Sequence, residues 1–141
     1  MTTLGMPARA PKVHQFIGQR ITQNIYEQIN LEDLIPVHEA NCIDDDPTSL
    51  APDVTVFSLP DEVPVVAFQV CHKAGIKKEL KNLETLFNYG LQEVFLFVYN
   101  GTITDYEITE IHKYTPAGED TENNEYSDAL GIDIDDDLAA P

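Results

Sequence analysis

The chain has 141 residues, 43% of them hydrophobic, and a formal charge of −17, which suits a single domain with a real core. No stretch approaches the roughly 18 apolar residues of a membrane helix, and the first residues, MTTLGMPARAPK, lack the apolar segment of a signal peptide. Two cysteines, Cys42 and Cys71, cannot build a disulfide framework, so the composition points to an intracellular, cytoplasmic protein with reduced thiols.

The charge is unevenly placed. Nine of the 25 acids follow Lys113, the last base, leaving 16 acids against eight bases in residues 1–116. A body of that sign repels phosphate on average, so contact with nucleic acid would need a local basic patch, and Lys73, Lys77, Lys78 and Lys81 supply the one that qualifies. The same four lysines also fit a plain solvated helix entrance.

Residues 1–12, with two prolines and no apolar period, read as a flexible lead-in. From Val13 the apolar residues recur at spacings of three and four through Phe16, Ile17, Ile21, Ile25 and Ile29, which predicts a helix from about His14 to Gln28. Pro36 to Ile43 reads as a strand with Val37, Glu39, Asn41 and Ile43 on one face, and Asp44-Asp45-Asp46-Pro47 breaks it. Pro52 to Phe57 and Val63 to Cys71 are β-branched and aromatic runs parted by Leu59-Pro60-Asp61-Glu62, which predicts an antiparallel pair.

A second helix is predicted over Lys77 to Tyr89, with Leu80, Leu83, Leu86 and Phe87 on one stripe and Gly90 at its C-terminal end. Glu93 to Tyr99 is nearly all apolar, as in a strand covered on both faces, and Asn100-Gly101 signals a hairpin into a returning strand, Thr102 to Lys113. The order is α-β-β-β-α-β-β, an α/β fold with one domain over 13–116. Beyond Pro116 the composition turns to Glu, Asp, Asn and Gly, and 117–141 reads as a disordered acidic tail.

Asp53 opens one strand of the antiparallel pair and Gln69 lies near the end of the other, so both reach the same end of the sheet. That suits a metal site in which a divalent ion lies between an in-sheet Asp, a second oxygen ligand and a phosphodiester, with a lysine nearby. Cys71 and His72 point to opposite faces, and Cys42, His14, His38 and His112 show no ligand spacing, so structural roles are expected for them. For Asp53 the simpler alternative is a strand-start aspartate, and for Gln69 a hydrogen-bonded core amide.

The runs Ala51-Pro52-Asp53-Val54-Thr55-Val56, Val65-Val66-Ala67-Phe68-Gln69-Val70 and Tyr89-Gly90-Leu91-Gln92-Glu93-Val94-Phe95-Leu96-Phe97, with the lysine-rich helix between the last two, resemble the PD-(D/E)XK nuclease superfamily. The resemblance is closest to the compact endonuclease family often called the Uma family and covers roughly residues 13 to 112. It implies a restriction-endonuclease-like core, a mixed β-sheet flanked by helices, and Mg²⁺- or Mn²⁺-dependent hydrolysis of DNA. By the resemblance Asp53 matches the metal-binding aspartate, Gln69 stands in the place of its Glu, and Cys71 in the place of the strand lysine. Lys73, Lys78 or Lys81 would substitute for that lysine, and Glu39 or Glu27 would complete the metal shell. An amide weakens Mg²⁺ binding and a cysteine cannot act as a cation, so the implied activity is weak or lost. The rival expectation is a non-catalytic interaction or structural protein whose sheet offers a partner or homodimer surface.

Overall fold

The structure, a computed structural model, describes residues 11–43, 46, 48–134, 138 and 140. The expected flexible lead-in falls largely on residues 1–10 and lies outside them.

Helix α1, Lys12–Gln28, starts directly after Pro11, and the three-and-four apolar spacing buries Val13, Ile17, Ile21 and Ile25 on one side. Strands β1 (Leu34–His38), β2 (Val54–Ser58) and β3 (Val63–His72) follow as an antiparallel meander. A 3₁₀ turn (Lys73–Gly75) and two short helices, α2 (Ile76–Leu80) and α3 (Leu83–Asn88), carry the chain back to β4 (Glu93–Asn100), which pairs parallel to β3. Strands β5 (Glu107–Thr115) and β6 (Gly118–Asp120) continue antiparallel. The result is a mixed six-stranded sheet in sequence order with helices against it, an α/β fold as the periodicities predict. Among the described residues no helix is long and apolar enough to cross a membrane.

Alternation along the strands divides the core. Val54 and Val56 of β2, Val66, Phe68 and Val70 of β3 and Phe95, Phe97 and Tyr99 of β4 pack with the α1 isoleucines, each fully buried aliphatic side chain contributing roughly 2 kcal/mol. Ala67 and Val94 face Leu86, Leu91 and Cys42 on the opposite side. α1 lies close to β1: a Cβ on Gly18 would come 2.9 Å from His38 Nε2, so glycine is what admits the approach.

Three boundaries differ from the sequence expectation. β1 ends at His38 because Glu39 turns to φ 54°, so Asn41 and Ile43 do not extend its face. The single helix expected over 77–89 is two, parted at Lys81-Asn82, and Leu80 is left exposed while Leu86 is buried. β5 begins at Glu107 rather than Thr102, because Asp105 accepts a hydrogen bond from the Thr102 N–H and holds 102–105 as a turn. Gly101, at φ 110°, closes that turn where a Cβ would meet the Tyr106 backbone at 2.8 Å.

The largest correction concerns the acidic tail expected to be disordered. Its described part folds back on the domain: β6 pairs with β5, Tyr126–Ser127 and Ile132–Asp133 form a small antiparallel ladder (β7 and β8), and Ile132, Ile134 and Leu138 enter the main core. Composition missed this because a few well-spaced apolar residues suffice when a charge anchor accompanies them. The anchor is Lys113, fully buried, whose Nζ donates to Asp128 Oδ2 at 2.7 Å and to the Tyr126 carbonyl at 2.9 Å. Glu93, also buried, lies 3.6 Å from that ammonium and accepts hydrogen bonds from Ser127 Oγ and from the backbone N–H groups of Asp128 and Ala129.

Candidate functional site

β2 starts one residue after Asp53, and β3 runs past it in the opposite direction, so Asp53 falls beside Gln69 and Val70 at the end of the sheet where β4 also finishes. The two segments clasp each other. Asp53 Oδ2 accepts the Val70 N–H at 2.7 Å, and the Asp53 N–H donates to Gln69 Oε1 at 3.0 Å. From the other side of the amide, Gln69 Nε2 donates to Glu79 Oε2 of α2 at 3.0 Å. Gln69 therefore ties the Asp53 backbone at the start of β2 to the Glu79 carboxylate of α2.

A histidine completes the cluster. His14, in the first turns of α1, places Nε2 2.8 Å from the same Asp53 Oδ2, with both side chains largely shielded. Its ring meets Tyr99 edge-on at 6.4 Å, and Tyr99 meets His72 in the same way at 5.9 Å. Burial lowers the His14 pKa, but the Asp53 hydrogen bond and the charges of Asp53, Glu79 and Glu39 outweigh it and hold the pKa above the ordinary 6.5. Burial, then repulsion from Asp53, pushes the Glu79 carboxyl up despite Lys78, His14 and Gln69.

The sequence singled out Asp53 and Gln69, and the structure brings these two together. Cys71 lies two residues beyond Gln69 on the same strand face, buried with Leu96 and Val98. Its thiol is pushed up to about 12 by burial and by the nearby Glu79, Asp53 and Glu110 charges. Glu39 donates its backbone N–H to the Asp53 carbonyl at 3.0 Å, which sets it at this end of the sheet with an exposed side chain. Glu27 is exposed and lies 13 residues along α1 from His14, about 20 Å at the helical rise, and so belongs elsewhere. Lys73, Lys77, Lys78 and Lys81 are all exposed, on the 3₁₀ turn, on α2 and directly after it, and Lys73 lines a cleft with His72, Asn100 and Thr109.

Sequence reasoning missed His14 and Glu79. Glu79 follows Lys77-Lys78 directly and carried no ligand spacing, and His14 is separated from Asp53 by 39 positions, so nothing local links them. A signal was present in the helical phase, since His14 sits beside Val13 and Ile17 at the edge of the buried stripe.

No family model matches the chain, and no curated protein matches it in sequence.

Mg²⁺ takes a near-octahedral shell of oxygens. Here one oxygen of Asp53 is taken by His14 and Val70, and Gln69 turns its oxygen to a backbone N–H and its nitrogen to Glu79. Among the described residues no three His, Cys, Asp or Glu side chains form a group that could hold a metal ion. As arranged, the cluster does not make a Mg²⁺ shell. What it does make is a histidine-carboxylate pair, His14 Nε2 against Asp53 Oδ2.

Proposed function

We propose that the domain is a nuclease-type scaffold in which hydrolysis of DNA phosphodiesters is weak or lost. Support for the scaffold comes from the chain order, an antiparallel meander followed by a helical crossover to a parallel strand, with Asp53 and Gln69 in contact where a PD-(D/E)XK pattern has its two acidic ligands. The observation that carries the loss is the 2.8 Å contact between His14 Nε2 and Asp53 Oδ2. Cys71 adds to it, because a buried thiol supplies no cation to a pentavalent phosphorus.

Contact with nucleic acid, if retained, falls to Lys73, Lys77, Lys78 and Lys81, four of the eight bases, all exposed within nine residues beside the cluster. The remaining surface is dominated by acids and would restrict any such contact to this patch.

Plasmid nicking in Mg²⁺ or Mn²⁺ tests the reading. The wild type is expected to cleave slowly or not at all. Gln69→Glu with Cys71→Lys, assayed in folded protein with His14 present and with His14→Gln, is expected to gain cleavage that Asp53→Asn removes. Brisk wild-type cleavage that survives Asp53→Asn, or no cleavage by either restored variant, overturns it.

A further inference from the structure

β6 covers only part of the strand beside it. β5 spans Glu107–Thr115, yet only Lys113, Tyr114 and Thr115 find a partner on β6, so among the described residues 107–112 lie along the sheet edge with no strand next to them. An uncovered strand edge offers a row of N–H and C=O groups. Ile111 turns its carbonyl to that side, where Asn124 Nδ2 donates to it at 2.7 Å, and in an antiparallel ladder the N–H of the same residue points the same way. A groove of about 810 Å³ follows this edge, lined by 106–112 without a gap and by Thr121, Asn124 and Leu138 of the C-terminal segment.

The two faces of the edge differ in chemistry. Ile108 and Ile111 pack on the main core, where the Tyr106 hydroxyl donates to the Leu138 carbonyl at 2.6 Å. On the opposite face Glu110 stands across from Val98 and His112 across from Leu96, and Glu107 shares that face because it alternates with Ile108. Glu119 joins them from β6, 3.0 Å from His112. Glu107, Glu110 and Glu119 all line the groove, and no Lys or Arg among the described residues does. His112 bonds one oxygen of Glu110 and one of Glu119, and each carboxylate keeps its second.

We propose that this edge of β5 is a docking site for an extended segment of a partner protein in which basic and apolar side chains alternate, bound as an added strand. Main-chain hydrogen bonds to 107–112 fix its register, its apolar side chains lie beside Ile108 and Ile111, and its lysines or arginines lie beside the glutamates. A second copy of this chain is the poorer occupant, because pairing β5 with its own copy sets glutamates against glutamates in a chain of 25 acids and eight bases. The same charges repel nucleic acid. The simpler reading, glutamates that only guard the edge against aggregation, expects no bound strand. Neither Asp53 nor the lysine patch takes part, so the site stands whether or not the scaffold is nuclease-type.

The probe is an end-blocked peptide of alternating lysine and valine, compared with one carrying glutamate for lysine and one with every backbone nitrogen methylated. Fluorescence polarisation with the full chain at physiological salt is expected to show one saturable site for the lysine peptide, and binding at least about tenfold weaker for each of the others. Glu107→Lys with Glu119→Lys should weaken the lysine peptide at least about tenfold, and Glu27→Lys with Glu84→Lys, an equal change of charge at exposed positions elsewhere, by less than about twofold. Glu107→Gln with Glu119→Gln, a milder change that guards against misfolding of the reversal, should weaken it in the same direction. In ¹⁵N-labelled protein the amide shifts should gather at 107–112 and Asn124. No saturable site in folded protein, equal losses from the two lysine double variants, or undiminished binding of the methylated peptide overturns the proposal. Sedimentation showing a dimer of the chain that Glu107→Lys with Glu119→Lys dissociates overturns it too, in favour of a second copy.

Discussion

The fully buried ammonium of Lys113 lies 2.7 Å from the carboxylate of Asp128, tying β5 to the C-terminal segment. Burial lowers the Lys113 pKa, but Asp128, Glu93 and Asp120 together raise it above the ordinary 10.5, so the charge persists inside the protein. An ion buried this way tolerates loss of its partners poorly. Replacing Lys113 with Met is expected to cost about 3 kcal/mol, because Glu93 keeps its three N–H and O–H donors but loses its neutralising charge. Urea unfolding measures it, and a cost below about 1 kcal/mol would mean that the ion pair contributes little net stability.

Ending the chain at Pro116 removes Ile132, Ile134 and Leu138 from the core together with the acceptors of Lys113. At roughly 2 kcal/mol for each side chain, the melting temperature should fall by 15 °C or more, or the domain should fail to fold. A change of only a few degrees would show that the segment is dispensable.

His112 bridges β5 and β6, with Nδ1 3.0 Å from Glu119 and Nε2 3.1 Å from Glu110, and stacks on Tyr114. Burial lowers its pKa, but the two glutamates outweigh it and hold it above 6.5. A raised folded-state pKa gives stability that is complete below pH 6.5 and lost as pH rises through the folded value. The melting temperature should therefore fall more between about pH 6 and about pH 8.5 in the wild type than in His112→Asn, by about 1–3 °C, and less so in high salt. Parallel curves for the two proteins would remove His112 from the pH response.

Both thiols are buried, and burial pushes Cys42 up to about 11 and Cys71 up to about 12. Only the thiolate reacts, so iodoacetamide at mildly alkaline pH should modify the native protein at least about tenfold more slowly than the urea-unfolded chain. Equal rates would show that the sheet end around Cys71 opens readily.

Elements with a strong period were legible in the sequence. The α1 stripe from Val13 to Ile25 and the apolar run from Val94 to Tyr99 announced their partners, and the antiparallel pairing of β2 with β3 followed from two β-branched runs around a short turn. Asp53 and Gln69 could be brought together because strand geometry alone fixes their separation. What stayed hidden depends on distance in the chain. His14 reaches Asp53 only once α1 lies across the sheet, and Lys113 finds Asp128 only once the C-terminal segment has turned back. In both cases one charged side chain meets a partner that no local pattern marks. The acidic composition of 117–141 argued for disorder because counting charges cannot reveal that one of them meets a buried lysine.

β1 forms one edge of the sheet, and its amides alternate between β2 and the outside. Because Glu39 donates inwards to the Asp53 carbonyl, the even-numbered positions Leu34, Pro36 and His38 turn their nitrogens outwards. Leu34 is already spent on the Asn30 carbonyl, and Pro36 has no N–H to offer. A foreign strand laid along this edge would meet an interrupted row of donors, so self-association by sheet extension is discouraged at β1 without any charged side chain having to stand guard.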